Sequence, residues 1–143
     1  MKTATSVAQR LLGFIFLAFG LNGFLHFIPQ MKLPNPALQL FMGMAATGYM
    51  IPLLFATQAV CGALLIVGMF VPLALAMLAP ILVNIFLFHT FIALDGLPIA
   101  IIVVGLELYL VYAYRDSFAP MLRPRAMPAE DESTNAARRS ATA

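Results

Sequence analysis

The stretch LPNPALQLFMGMAATGYMIPLLFATQAVCGALLIVGMFVPLALAMLAPILVNIFLFHTFIAL, residues 33–94, contains not one Asp, Glu, Lys or Arg. A helix that crosses a bilayer needs about 20 consecutive apolar residues, so this run holds two crossings and a shorter remainder. Proline and glycine set the breaks. Ala37–Gly48 is apolar but too short to span, and reads as an interfacial or re-entrant helix. Tyr49–Gly68 is a full crossing, with Pro52 in its first turn, where a missing N–H costs least. Met69–Val71 leaves room only for a tight turn. Pro72 opens the next crossing, which reaches Phe91–Leu94 and carries Pro80; that ring removes the hydrogen bond to the Ala76 carbonyl and predicts a kink.

Outward from this run, Leu11–Ile28 forms an earlier crossing behind Lys2 and Arg10. It has no small-residue cleavage site, so it reads as a retained helix rather than a signal peptide. Asp95-Gly96 is a turn, and Leu97–Tyr114 is the last crossing. The fold class is all-α: an integral membrane four-helix bundle with four transmembrane helices and a short extra helix between the first and second. The whole chain agrees. Of 143 residues 62% are hydrophobic and 10% charged, with a mean hydropathy of +0.95. A soluble domain carries roughly 25% charged residues, and this chain cannot dress a water-facing surface.

Two regions follow, a transmembrane domain over 1–118 and a polar tail over 119–143. In the tail Pro120, Pro124 and Pro128 interrupt charged, Ser- and Ala-rich sequence with no helical period, which reads as disordered. Positive charge concentrates at the two ends, Lys2 and Arg10 with Arg115, Arg123 and Arg125, against Lys32 alone in the other loops. The positive-inside rule then puts both termini in the cytoplasm. Basic residues are not interleaved with aromatics, so nucleic acid is not a partner. A single cysteine, Cys61, excludes a disulfide framework, a CxxC redox pair and a Cys-rich metal site.

Polar side chains inside a bilayer are costly and therefore informative. Asn22 and His26 on the first helix and Asn84 and His89 on the third fall in the outer half, and Gln58 and Glu107 are expected near the level of Asn84. The six form the candidate site: Glu107, His26 and His89 as proton-handling groups, and Asn22, Asn84 and Gln58 as ligand-binding amides. The cytoplasmic half is expected to hold no such group. Asn22 and His26, four apart, share a helical face. Asn84 and His89, five apart, lie about 140° round a regular helix and share one only if the turn is overwound. Each residue also has a structural reading. The amides can bridge helices, and a histidine near the interface can simply meet water. Glu107 carries most weight, since a central carboxylate costs on the order of 2.5–3.5 kcal/mol to insert.

Four motifs, GLNGFLHFIP (20–29), FVPLALAMLAP (70–80), VNIFLFH (83–89) and LELYLVYAYR (106–115), resemble the DoxX-like family of small bacterial membrane proteins. The resemblance spans about residues 8–122. It implies a four-helix bundle in the bacterial inner membrane. The family takes its name from a subunit of an archaeal thiosulfate:quinone oxidoreductase, and distant relatives act as non-catalytic chaperones or trafficking factors; no catalytic residue is carried over.

Two functions from different classes fit. One is an accessory subunit of a membrane redox complex, with an outer-half polar site for a bound quinone. Quinone chemistry needs an apolar slot with a few hydrogen-bonding, titratable groups, and a redox partner protein would have to supply electrons. Two histidines on different helices could ligate a haem instead, a weaker reading because the pair need not face each other. The other function is a non-catalytic assembly, chaperone or structural protein, alone or as a homo-oligomer, whose polar layer serves packing alone. Whether the chain is an enzyme stays open at this point.

Overall fold

The computed structural model describes residues 2–28, 33–122, 124 and 140–141. Its helices are α1 (Lys2–Leu25), α2 (Asn35–Ala46), α3 (Met50–Val67), α4 (Val71–Phe91), α5 (Leu97–Ala113) and α6 (Arg115–Phe118), with a 3-10 turn over Leu94–Gly96. No strand occurs among the described residues. Four segments are long and apolar enough to cross a membrane: Thr3–Leu25, Met50–Val67, Val71–Phe91 and Leu94–Ala113. This is an all-α membrane protein built on a four-helix bundle. Lys32, Arg123, Arg125 and nearly all of the expected tail lie outside the described residues.

Helix boundaries follow local chemistry. α1 begins nine residues before the expected Leu11, because Ala4, Ala8, Gln9 and Arg10 favour helix and nothing interrupts them. It stops at Leu25. His26 takes a left-handed backbone (φ 51°), and the Asn22 side-chain oxygen accepts the Ile28 N–H at 2.7 Å. α2 has Pro36 in its first turn, where the ring is pre-set for helix, and Thr47 at its end. At about 18 Å it cannot span. α3 ends on Gly68 in the left-handed conformation (φ 82°), its N–H bonded to the Leu64 carbonyl at 2.9 Å. Residues 68–70 then turn the chain directly into α4.

The helices form a ring in which α1 packs on α3, α3 on α4, α4 on α5 and α5 back on α1. Each turns inward residues that recur every three or four positions: Ala8, Leu12 and Phe16; Cys61 and Leu65; Val71, Ala74, Leu75, Leu78 and Leu82; Ala100, Val103, Glu107 and Leu110. That spacing is the seam of a left-handed bundle. Leu, Phe, Ile and Val on the outer faces are left exposed for lipid, among them Phe14, Leu73, Ile102 and Leu108.

The tightest contact joins α1 to α3. A Cβ added to Gly13 would stand 2.8 Å from the Gly62 carbonyl oxygen and 2.9 Å from Leu65 Cβ. One added to Gly20 would stand 2.8 Å from both Ala59 Cα and the Phe55 carbonyl oxygen. One on Gly62 would strike the Leu17 backbone nitrogen. Between lipid-embedded helices there is no hydrophobic drive to associate, so this backbone-to-backbone approach supplies dispersion contact that larger residues would forbid. Gly105 on α5 is different, because a Cβ there meets nothing within 4 Å.

Gly62→Leu should therefore push α1 off α3 and cost about 2–3 kcal/mol or more, the upper range for overpacking against atoms that cannot yield. Gly105→Ala should be neutral or slightly stabilising. Detergent-to-SDS unfolding followed by circular dichroism checks both; equal midpoints for the two variants would contradict the close-packed seam.

Candidate functional site

The start of α1, the end of α5 and the 68–70 turn lie at one end of the bundle, the terminal end, as three long-range hydrogen bonds show. Gln9 Nε2 donates to the Leu65 carbonyl at 2.7 Å, the Tyr114 hydroxyl donates to Gln9 Oε1 at 2.7 Å, and the Thr5 and Tyr109 hydroxyls are 3.2 Å apart. The opposite end carries His26, α2 and the Leu94–Gly96 turn. Toward that end α3 and α4 part and leave a cavity of about 710 Å³. α1 and α5 form its back through Phe16, Phe19, Ala100 and Val103, and α2 covers it with Leu40, Phe41 and Met44. Phe41 meets Phe88 of α4 edge to face, ring centroids 5.8 Å apart. Several of its lining residues, among them Phe19, Leu40, Leu53, Asn84 and Ile99, are exposed, so the cavity is open to the surface of the bundle.

The walls are apolar and aromatic, with five polar side chains among them: Tyr49, Thr57, Gln58, Asn84 and His89. The Thr57 hydroxyl is spent on the Leu53 carbonyl at 2.8 Å. Gln58, 6% exposed, reaches the cavity from α3. Asn84 and His89 both line it without any overwinding of the helix. α4 contributes Pro80, Ile81, Asn84, Ile85, Phe88 and His89, which at 100° per residue cover about half of its circumference. The wall is wide enough to hold two residues 140° apart.

His89 is held firmly. Its Nδ1 lies 3.0 Å from the Ala93 carbonyl oxygen, its ring stacks edge-on to Phe88 at 5.2 Å, and its far side rests on Gly96. A carbonyl only accepts, so Nδ1 carries the proton and Nε2 is left as an acceptor in the neutral ring. Any Cβ at Gly96 would overlap the imidazole. The Asp95-Gly96 turn thus makes room for the ring as well as reversing the chain.

The six expected site residues do not form one layer. Gln58, Asn84 and His89 share the cavity. Asn22 and His26 are not among its lining residues, because Asn22 is used in closing α1 and His26 follows that helix as an exposed residue instead of standing on its face. Glu107 also stands apart. It is six residues from the end of α5 and so about 9 Å from the terminal end of the bundle, whereas Asn84, 13 residues into α4, lies roughly 20 Å from it. Glu107 is level with Cys61 of α3 and in electrostatic reach of it. It is 5% exposed, and neither carboxyl oxygen has a hydrogen-bond partner.

Nor is the terminal half free of polar groups. Gln9, 6% exposed, ties α1 to α3 and, through Tyr114, to the end of α5. Its signal is the spacing Gln9, Leu12, Phe16, which continues the buried stripe of α1 one turn before Leu12. No set of three or more His, Cys, Asp or Glu that could hold a metal ion occurs among the described residues. No protein-family profile, curated protein or solved structure matches the chain.

Nitrogen-15 NMR of histidine-labelled protein should show His89 as the Nδ1–H tautomer. Gly96→Ala should destroy that single state by displacing the ring. An Nε2–H tautomer in the native protein would contradict the bond to Ala93.

Proposed function

We propose that this membrane protein holds a quinone-like molecule in the cavity between α3 and α4 and serves as an accessory subunit of a membrane redox complex. The observation that carries this reading is that Gln58, Asn84 and His89 line one mostly apolar cavity of about 710 Å³. Small-molecule sites have this form: roughly 300–1,000 Å³, mostly apolar, with a few polar groups that fix orientation. An opening on the surface of an apolar bundle suits a ligand that arrives through lipid.

The polar groups match both redox states of a quinone. The carboxamides of Gln58 and Asn84 can donate to quinone carbonyls. The His89 Nε2, left as an acceptor by the bond at Nδ1, can take the O–H of a quinol and its proton on oxidation. The aromatic walls can stack on the ring. With Cys61 as its one cysteine the chain has no thiolate set for an Fe–S cluster, so electrons would pass to or from a partner protein. The likeness of residues 8–122 to the DoxX-like proteins supports the same reading and a bacterial inner membrane. With Lys2 and Arg10 on the cytoplasmic side, the cavity would open in the outer half of the bilayer.

A short-tailed benzoquinone should bind saturably to the purified protein in lipid nanodiscs. His89→Ala and Asn84→Leu should each weaken it about five- to tenfold, the loss of one hydrogen bond of about 1–1.4 kcal/mol. Leu108→Ala, on the lipid face of α5, should leave it unchanged. Absence of saturable binding, or equal affinity in all three variants, would favour a non-catalytic assembly or structural protein.

A further inference from the structure

Glu107 is the one buried side chain among the described residues whose polar atoms have neither a partner nor an opening. Both oxygens are enclosed and unbonded. An ionised carboxylate without donors is not tolerated in such a place, and an intramembrane acid persists only where it pairs, faces water or exchanges a proton. The surrounding elements offer no pairing. α4 buries no polar side chain, α1 buries only Gln9, and α3 presents the Cys61 thiol and Gln58. Both Gln9 oxygen and nitrogen are already bonded, to Tyr114 and Leu65.

The two directions out of this position differ. Toward the termini Leu110 follows Glu107 on α5 and Leu65 follows Cys61 on α3, both with no exposed surface, as do Leu12 and Leu75 on the other two helices. Beyond them the Leu65–Gln9–Tyr114 hydrogen bonds tie three helices together. Toward the other end, Val103 and Gln58 stand about one turn from Glu107 and Cys61, and both line the cavity. One side chain layer separates the carboxyl from open space on that side. On the other side stand a leucine layer and a closed hydrogen-bond chain.

We propose that Glu107 is a proton-exchange site loaded through the cavity alone, the terminal side being sealed. The carboxyl holds its proton, gives it up to a base or water that enters past Gln58, and takes it back by the same route. The site depends on the cavity's geometry and not on which molecule fills it. Where the cavity holds a quinone, as in the reading above, Glu107 provides one of the two protons that reduction to the quinol takes up and is reprotonated through the cavity. Water that reaches the cavity provides the other, and both electrons come from the partner protein.

Infrared spectroscopy of the protein in nanodiscs tests this without a ligand. A carboxylic-acid carbonyl band should be present in the native protein and absent in Glu107→Gln. Its downshift on transfer to D₂O measures access. Exchange should slow at least tenfold in Asn84→Phe and in Thr57→Phe, which fill the cavity. It should be unchanged in Leu108→Ala, on the exposed lipid face of α5, and faster in Leu110→Ala, which breaches the seal. The proposal is overturned if the acid band is missing, if filling the cavity leaves exchange unaltered, or if Leu110→Ala has no effect. Should the quinone fail to bind while exchange follows this pattern, the ligand assignment falls and the proton site stands.

Discussion

The backbone contact between α1 and α3 governs the rest of this bundle. At Gly13, Gly20 and Gly62 the two helices approach so closely that a single added methyl group would meet main-chain atoms. In lipid, where apolar surface gains little from leaving one hydrocarbon environment for another, such contact is what holds helices together. α3 is thereby committed to α1. It packs on α4 near the short turn at 68–70, and the cavity lies between them toward the opposite end.

This geometry separates two kinds of polar group that a membrane protein must keep apart. Gln58, Asn84 and His89 are reachable and unpaired or half-paired, as ligand-binding groups must be. Gln9 and Tyr114 are satisfied by each other and by the Leu65 carbonyl, and they close the terminal end. Glu107 lies between, unpaired and enclosed. An apolar occupant of the cavity would therefore meet the hydrogen-bonding groups first and approach the protonatable one beyond them, while buried leucines and the Gln9–Tyr114 hydrogen bonds stand at the far end.

Most of the fold was legible because lipid simplifies the rules. An uncharged run, its prolines and its glycines delimit α2 to α5 to within a few residues, since an exposed charge in hydrocarbon is excluded and a turn must have turn chemistry. The start of α1 was not legible for the converse reason: Thr3 to Arg10 is polar enough for water yet helical, and hydropathy does not see a helix extending beyond the apolar band. That also hid Gln9. Three of the six candidate residues meet in one cavity as their depth suggested. The others do not, because depth counted from a span's end ignores how the end is made. Asn22 caps α1, His26 lies past it, and Glu107 stands ten residues from the start of α5 whereas Asn84 stands seven from the end of α4, so the two are not level. Side-chain use of this kind depends on the exact residue at which each helix stops.

The central claim is that the gap between α3 and α4 is a ligand site rather than a packing defect. Native mass spectrometry of the protein released directly from its own membranes tests it most directly. The account predicts one bound isoprenoid-tailed quinone per chain, retained by the native protein and absent from Asn84→Phe. A native protein that carries only bulk phospholipid, in the same amount as Asn84→Phe, would contradict it.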